Sequence, residues 1–550
     1  MQLPSRLRRG HRPPQWLTAV ACAICAMGVH AQTLPYSVVR GGNVGHTTVE
    51  NNTTITTSQA ATILAWPSFD IPAGTATHFQ QPDIHSAVLN RVTGNTESMI
   101  HGQLSSNGHV FLLNPNGILF GTGATVSVQG LLASTLPMSD NLFLDRLNQT
   151  DWTFEGNTSD ARLRIEAGAS ISTPSGGQVY LLGGRYLSQD GQINVPQGTV
   201  LLASSADGLI VRDVASPQVS VKMLPDAQGT HNGQVVQAGN IMADSGRIGL
   251  IAATVRNSGT VNASSATSQG GRIWLRAATE LTLESTEVGT SAILANGVNR
   301  AGQIELLGRL HETDAMTATV NIVGSLQADG GQGDISTIGA GVTVAADTQV
   351  QAGGGAWRLV DHPRTGSSGG HLITVGSYIE GNEVWPSIDV GAINAALNTD
   401  TQVTLQSIDS DIHINAPVQK TSGLNSVLNL NAHGSVGLYS DIVAEEGRLN
   451  LNAQANKGSV QLGGVNLDMN GGAIQVTGTL ERTWSEQNAT LLSYITFYSL
   501  LFTLIFFTLY YFSQLLFNFP MVWEAGGLSG TGQLITHGNS SVGTGCGDYC

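Results

Sequence analysis

The sequence is poor in charge, and above all in lysine. Only 11% of its 550 residues are Asp, Glu, Lys or Arg, whereas an average soluble domain has about 25%. Lysine occurs only at Lys222, Lys420 and Lys457, and the formal net charge is -15. An acidic chain with so few lysines lacks the basic patches by which proteins bind nucleic acid or an anionic membrane surface. We therefore expect no nucleic-acid partner.

The sequence also lacks the motifs of a catalytic or metal-binding site. Its one G-x-S-x-G match, residues 366–370, lies in a glycine-rich stretch without the strand–turn–helix pattern that a nucleophilic serine needs. The 14 histidines are scattered and form no zinc-ligand spacing. We expect no enzyme activity, no cofactor and no metal site.

Cysteine is absent between Cys25 and Cys546, so disulfides cannot stabilise the body of the chain. At the C-terminus, Cys546 and Cys550 form an even pair, which an oxidising compartment would convert into a disulfide. Two incidental cysteines are the alternative interpretation.

The N-terminus has the features of an export signal. A basic stretch that ends at Arg12 is followed by apolar residues Trp16 to Met27 and by Val29-His30-Ala31, whose ends suit cleavage. This order predicts a secretory signal peptide over residues 1–31, with a buried N-terminal helix as the structural alternative. We therefore expect an exported protein that is secreted or associated with the outer membrane.

Glycine and short alternating strands dominate what remains. The chain has 67 Gly, and runs such as Leu428-Asn429-Leu430-Asn431 recur between turn residues about every 20 to 25 positions. Alternation places aliphatic side chains on one face, and this repeat length is that of one coil of a solenoid. The pattern predicts an all-β fold, a right-handed parallel β-helix, with an array of β-sandwiches as the alternative.

One turn interrupts two apolar runs at Asn114-Pro115-Asn116-Gly117. Proline fixes φ at the first central position, and the Asn-Gly that follows tolerates positive φ. In isolation this explains the motif as a turn and nothing more.

The residues around the turn resemble the secretion domain of the filamentous haemagglutinin family, the exported partner of two-partner secretion systems. The matching residues are Trp66, Phe69, Gly74, Asn90, Arg91, Val92, Ile100, Gly102, Leu104 to Gly108, Asn114, Pro115, Asn116, Gly117, Ile118, Phe120, Gly121, Gly130, Leu131, and Ala133 to Thr135. The family's second hallmark, Asn-Pro-Asn-Leu, does not occur.

The resemblance implies a function for this region. Residues 32–270 would be the two-partner secretion domain, recognised by an outer-membrane pore with periplasmic domains, and residues 271–485 would be a β-helix adhesin stem. Asn114 to Ile118 would be the secretion motif, acting by keeping the fold competent for recognition. The chain would then be an adhesin that attaches to a host receptor or glycan. The alternatives are a carrier for haem-protein capture or for a toxin, and the product of a degraded or truncated gene.

The tail departs from this pattern. Residues 486–523 include the apolar stretch Leu491 to Phe519, which is longer than the roughly 20 residues that span a bilayer. We predict a transmembrane helix, and so membrane contact, over this stretch, with a foreign or frame-shifted insert and a buried apolar plug as alternatives. Residues 524–550 form a glycine-rich tail that contains the cysteine pair, and the resemblance allows that pair to act as a tether in the pore.

Overall fold

The structure is a computed structural model, and it describes residues 35–212, 219–285, 290–311, 314–363, 372–376, 379–380, 383–384, 387–482, 528–529 and 534–537. The predicted signal peptide, the apolar stretch Leu491 to Phe519, and Cys546 and Cys550 lie outside these residues. Compactness divides the chain into Met1–Pro35 and Tyr36–Cys550, and every element below belongs to the second unit. No helix within the described ranges is long and apolar enough to cross a bilayer.

The second unit is a parallel β-helix whose coils contribute strands to three faces. Face 1 has the longest strands, several of which continue onto face 2. Its strands are Ala61–Trp66, Ala87–Val92, His109–Leu113, Gly130–Ser134, Gln178–Gly183, Thr199–Ser204, Arg247–Asn257, Arg272–Leu283, Gln303–Leu307, Asp334–Gly339, Ala356–Asp361, Gln402–Ser407, Ser426–Ala432, Leu449–Leu462, Ile474–Arg482 and Leu534–His537.

Faces 2 and 3 have shorter strands, and each coil turns at the corners between the faces. The strands of face 2 are Ser98–Ile100, Ile118–Phe120, Arg162–Ile165, Tyr186–Gln189, Gln234–Gln237, Thr319–Ile322, Val342–Val344, Ile373–Val375, Ser387–Ile388, Ile412–Ile414 and Val436–Leu438. The strands of face 3 are Asn52–Thr57, Ala76–Gln80, Gln103–Ser106, Thr125–Ser127, Ser170–Ser172, Gln192–Asn194, Asn240–Met242, Thr260–Asn262, Ala292–Leu294, Ser325–Gln327, Gln349–Gln351, Val418–Lys420, Ile442–Ala444, Leu467–Asp468 and Leu528–Ser529.

The core is a ladder of inward side chains that stack from coil to coil. On face 1 the in-register partners run through Val88, Val110, Leu131, Val179, Val200, Ile248, Ile273, Ile304, Ile335, Trp357, Val403, Leu428, Leu451 and Ile474. Nearly all of these side chains are fully buried. The strand alternation therefore predicted the inward residues correctly, and the predicted parallel β-helix is confirmed.

The first coil is closed by antiparallel strands. Ser37–Arg40 pairs antiparallel with Ala61–Trp66, and Val44–Val49 forms a hairpin with Asn52–Thr57. Antiparallel pairing is unlike the parallel stacking that follows it, so these strands end the repeat at the N-terminal side.

A second apolar core lies on the outside of face 1. Here the outward column is itself buried and apolar, and runs through Ile63, Leu89, Phe111, Leu132, Tyr180, Leu201, Gly249 and Trp274. A three-stranded antiparallel sheet, Trp152–Glu155 with Gly208–Arg212 and Ser220–Met223, supplies the covering side chains together with helix Asp140–Leu144. Beyond Trp274 the same column becomes polar, beginning with Glu305.

Asn and Asp side chains join neighbouring coils at the corners of the later part of the helix. Asp411 Oδ1 accepts the N–H of Ser435 at 2.6 Å, and Asn450 Oδ1 accepts that of Ala473 at 2.9 Å. Each such acceptor belongs to the earlier coil and each donor to the later one. The side chains thereby satisfy turn amides that strand pairing leaves without a partner.

Two connections depart from the regular coil. Helix Val390–Asn398, capped by Asp389, packs between the face 3 strands Gln349–Gln351 and Val418–Lys420. Farther on, residues 463–466 connect Leu449–Leu462 to Leu467–Asp468, whereas residues 483–527 separate Ile474–Arg482 from Leu528–Ser529 in the sequence. Leu528–Ser529 then pairs in parallel with Leu467–Asp468, so the coil path resumes. A hairpin, Ile379–Glu380 with Glu383–Val384, is the remaining described pair.

The second core makes a prediction about stability. Replacing Leu201, an outward residue of the covered part, with Ala should cost about 2 to 5 kcal/mol, as a buried leucine does. Leu202→Ala, on the inward side of the same strand, should cost a similar amount. Gln475→Ala, at an outward position of the uncovered part, should stay within about 0.5 kcal/mol. Thermal and urea unfolding of the three variants measures this, and a Leu201→Ala variant as stable as Gln475→Ala would contradict the second core.

Candidate functional site

The predicted secretion motif forms the corner between strands His109–Leu113 and Ile118–Phe120. The Gly117 N–H donates to the Asn114 carbonyl at 3.2 Å, which closes the turn. Gly117 has φ 127°, a backbone angle that favours glycine, but Asn116 is not among the residues with positive φ. Of the Asn-Gly pair, which tolerates positive φ, only Gly117 therefore adopts it in this turn.

Asn114 joins its own corner to the preceding and the following coil. Its side chain is fully buried, and its Nδ2 donates to Thr96 O and to Ser98 Oγ, both at 2.9 Å. Its backbone N–H donates to Ser134 O on the next coil at 3.0 Å. A buried amide whose donors are both satisfied fixes the position of the neighbouring chain as well as its own.

Asn116 extends the same network. Its Nδ2 donates to Gly94 O at 2.8 Å and to Asn114 Oδ1 at 3.0 Å, and its backbone N–H also donates to Asn114 Oδ1. The two asparagines therefore act as one unit between residues 94–98 and the turn. Pro115 is the exposed residue of the motif, while Gly117 and Ile118 are buried.

Asn157 completes the corner, and the sequence analysis did not identify it. Its Nδ2 donates to Pro115 O and to Thr135 O, both at 2.9 Å. Its Oδ1 accepts the N–H of Ser159 at 3.1 Å, as in an Asx turn. The local Asn-Thr-Ser-Asp sequence signals such a turn, but nothing local signals that the amide reaches the motif.

The supporting positions Trp66, Asn90 and Phe69 lie in the core of the first coils. Trp66 Nε1 donates to Asn90 Oδ1 at 3.0 Å, and Asn90 Nδ2 donates to Phe111 O at 3.2 Å. Phe69 packs edge-on against Trp66 with ring centroids 4.9 Å apart. These residues link three coils, so the structure places them together but away from the surface.

Arg91 attaches the covering helix to the coil. Its guanidinium donates to Met138 O at 2.7 Å and to Asp140 Oδ1 at 2.6 Å, at the start of helix Asp140–Leu144. The contact holds the outer elements that shield the second core.

Gly102, Phe120 and Gly121 reflect close packing. A Cβ on Gly102 would lie 2.3 Å from Thr75 O, and a Cβ on Gly121 would lie 2.2 Å from the His101 ring. Phe120 is fully buried. Only glycine fits at the two close approaches, so these positions maintain the stacking distance rather than form a contact surface.

The charges around the corner are few. Arg164 contacts both carboxylate oxygens of Glu97 at 3.1 Å, in a partly exposed ion pair of small energetic weight. Burial, with the positive charge of Arg146 nearby, lowers the pKa of His109 to about 4, so its imidazole is neutral at pH 7. Among the described residues no three His, Cys, Asp or Glu side chains are grouped as a metal site would need. The hydrogen bonds of this corner fix a backbone shape.

Comparison with known proteins assigns this region to a family. A family model described as TPS secretion domain, for two-partner secretion, matches residues 31–304. Residues 31–304 are a TPS secretion domain. This match agrees with the resemblance seen in the residue pattern from Trp66 to Thr135, and a TPS secretion domain implies an outer-membrane pore partner.

Two curated relatives and one solved structure are similar to parts of the chain. A protein named Heme/hemopexin-binding protein from Haemophilus influenzae is 30% identical over 224 residues, which is 38% of this chain and 23% of that protein. A second protein of the same name and species is 31% identical over 156 residues, 27% of this chain and 16% of that protein. The match thus spans less than a quarter of either relative's length. The crystal structure of the HMW1 secretion domain from Haemophilus influenzae covers 80% of this chain and 97% of that chain, with 24% identity and a TM-score of 0.46.

The corner network predicts unequal costs for three asparagine variants. Asn114→Ala should destabilise the secretion domain by about 2 kcal/mol or more, because two donors and an acceptor are lost in a buried site. Asn116→Ala should cost about 1 kcal/mol, and Asn148→Ala, an exposed control, less than about 0.5 kcal/mol. Thermal unfolding measures the series. Equal stability of Asn114→Ala and Asn148→Ala would show that the motif does not hold the coils.

Proposed function

We propose that the chain is an exported adhesin whose secretion domain is recognised by a dedicated outer-membrane pore and whose later coils attach to a host surface. The observation that supports this most is the continuous ladder from Val88 to Ile474, which joins the secretion domain to the later coils in one helix. The later coils continue the secretion domain, so they do not have to fold as a separate domain. Each coil can instead stack on the preceding one in the order in which the coils leave a pore.

The secretion motif acts in this proposal through the fold. Its asparagine side chains are occupied inside the corner, and Pro115 is its exposed member. A pore partner would then recognise the shape that the corner maintains and not the amide groups themselves.

Capture of a haem-carrying host protein is the second candidate function. The names of the two relatives favour it, since both are described as binding haem and hemopexin. The matches cover only 23% and 16% of those relatives, so this candidate rests on similarity to a part of each.

Membrane contact through Leu491 to Phe519 stays a proposal. The strands on both sides of residues 483–527 pair within neighbouring coils of one helix, Ile474–Arg482 with Leu449–Leu462 and Leu528–Ser529 with Leu467–Asp468. A single crossing would leave the two ends on opposite sides of a bilayer, which would separate strands of the same coil. Any lipid contact would therefore have both ends on one side.

Export is the first test of the proposal. With its partner pore the chain should accumulate in the medium or at the cell surface, and without the pore it should remain in the periplasm. Asn114→Ala should lower the exported amount, whereas Asn148→Ala should export like the wild type. Immunoblots of medium, surface and periplasm measure this, and equal export with and without the pore would contradict recognition by a partner.

Attachment distinguishes the two candidate functions. Purified wild-type chain should bind epithelial cells in a saturable manner and should show no saturable binding to haemin or to hemopexin. Fluorescence binding to cells and calorimetry with both ligands measure this. Tight binding to haemin or hemopexin, without attachment to cells, would favour the haem-capture function instead.

A further inference from the structure

The later coils carry an outward surface on face 1 that we call the amide face. It consists of two neighbouring columns. The first is Thr404, Asn429, Asn452 and Gln475, and the second is Gln406, Asn431, Gln454 and Thr477. Each of these side chains is partly or fully exposed. Six of the eight are primary amides and none is ionisable.

The first column of the amide face changes character along the helix. It is apolar and covered up to Trp274, and it contains the charged residues Glu305 and Arg358 in the following coils. The charged stretch ends at Arg358, and from Thr404 to Gln475 the column carries only hydroxyl and amide groups. The amide face therefore differs from the covered column upstream and from the charged coils between them.

Hydrogen bonds between coils orient the first column. Asn452 Nδ2 donates to Asn429 Oδ1 at 2.7 Å, and Asn429 Nδ2 donates to Thr404 Oγ1 at 3.1 Å. The amides thus point in one direction before any ligand arrives, which lowers the entropy cost of binding. The strands beneath them pair without a register shift from Gln402 to Gln454, so the groups repeat about every 4.8 Å along the stack.

We propose that the amide face binds a neutral polysaccharide, which lies along the stacked coils. A primary amide has two N–H donors and an oxygen that can accept twice, and the bonds within the protein use only one donor each of Asn429, Asn452 and Gln454. Sugar hydroxyls also donate and accept, so they match the remaining groups in hydrogen bonding without charge. The regular repeat suits a polymer more than a compact ligand. This inference rests on the proposed adhesin function and specifies the chemical class of its receptor.

Other occupants fit the amide face less well. An acidic glycan or a nucleic acid would need basic side chains, and the face has none. A bilayer surface would need apolar or basic groups. A second copy of the chain would bury a patch without aromatic or large aliphatic side chains, unlike the core of a stable protein interface.

The test uses the full-length chain on an array that pairs neutral polysaccharides (dextran, galactomannan and xylan) with acidic ones (dextran sulfate, heparin and hyaluronate). The wild type should bind at least one neutral polysaccharide, with little dependence on salt. Gln406→Glu with Gln454→Glu should weaken that binding about tenfold, because carboxylates lose the donors. Gln349→Glu with Gln419→Glu, two exposed glutamines of face 3, should bind like the wild type.

A second pair, Asn452→Asp with Gln475→Glu, protects the test against a folding defect in the first. Melting temperatures near that of the wild type identify the variants that can be compared, and the loss of binding should be seen in whichever pair folds. Binding only to acidic polysaccharides, or undiminished binding of a folded amide-face variant, would overturn the inference. A dimer that the amide-face variants dissociate in the ultracentrifuge would also overturn it, in favour of a second copy.

Cell attachment separates this inference from the proposed function. If folded amide-face variants attach to epithelial cells as the wild type does, the amide face is not the receptor site although the adhesin function stands. If the wild type attaches to no cells, the adhesin function itself fails.

Discussion

The structure depends on one constraint, the in-register stacking of each coil on the one before it. Parallel pairing keeps the inward ladder from Val88 to Ile474 continuous, and it leaves N–H and C=O groups at the corners that side chains or adjacent turns satisfy. The asparagines of the secretion motif meet this demand at one corner, and residues such as Asp411 and Asn450 meet it later. The motif therefore uses the same kind of side-chain hydrogen bond between coils that occurs at other corners of the helix.

The earlier and later coils differ mainly in the outward side chains of face 1. The inward side chains are apolar in nearly every coil. Up to Trp274 the outward column is apolar and covered by inserted strands and a helix. At Glu305 it becomes polar, next to the end of the family match at residue 304. In the proposed function, the covered column belongs to the secretion domain, and the open polar column is the part that binds a ligand. The same backbone thus supports both proposed roles by a change in one set of side chains.

Sequence alternation predicted the faces and the inward residues because period-two patterning decides both. The Asn-Pro-Asn-Gly turn was also predictable, although Gly117 and not Asn116 takes the positive φ. The second core and Asn157 were not predictable. Both depend on contacts between inserted segments and residues that are distant in the sequence. A local sequence pattern does not indicate which strand such a segment will cover. Helix Val390–Asn398 was missed, although its buried residues Ala392, Ile393, Ala396 and Leu397 follow helical spacing.

Hydrogen exchange of the exported protein tests most directly whether the motif acts by holding coils together. The amides of Ser98, Asn114 and Thr135 donate across coils at this corner. The account predicts that they exchange as slowly as the inward strands and that Asn114→Ala accelerates them, while amides beyond residue 400 remain protected. Fast exchange of these three amides in the wild type would contradict it, because the motif would then be an exposed signal and not a structural corner.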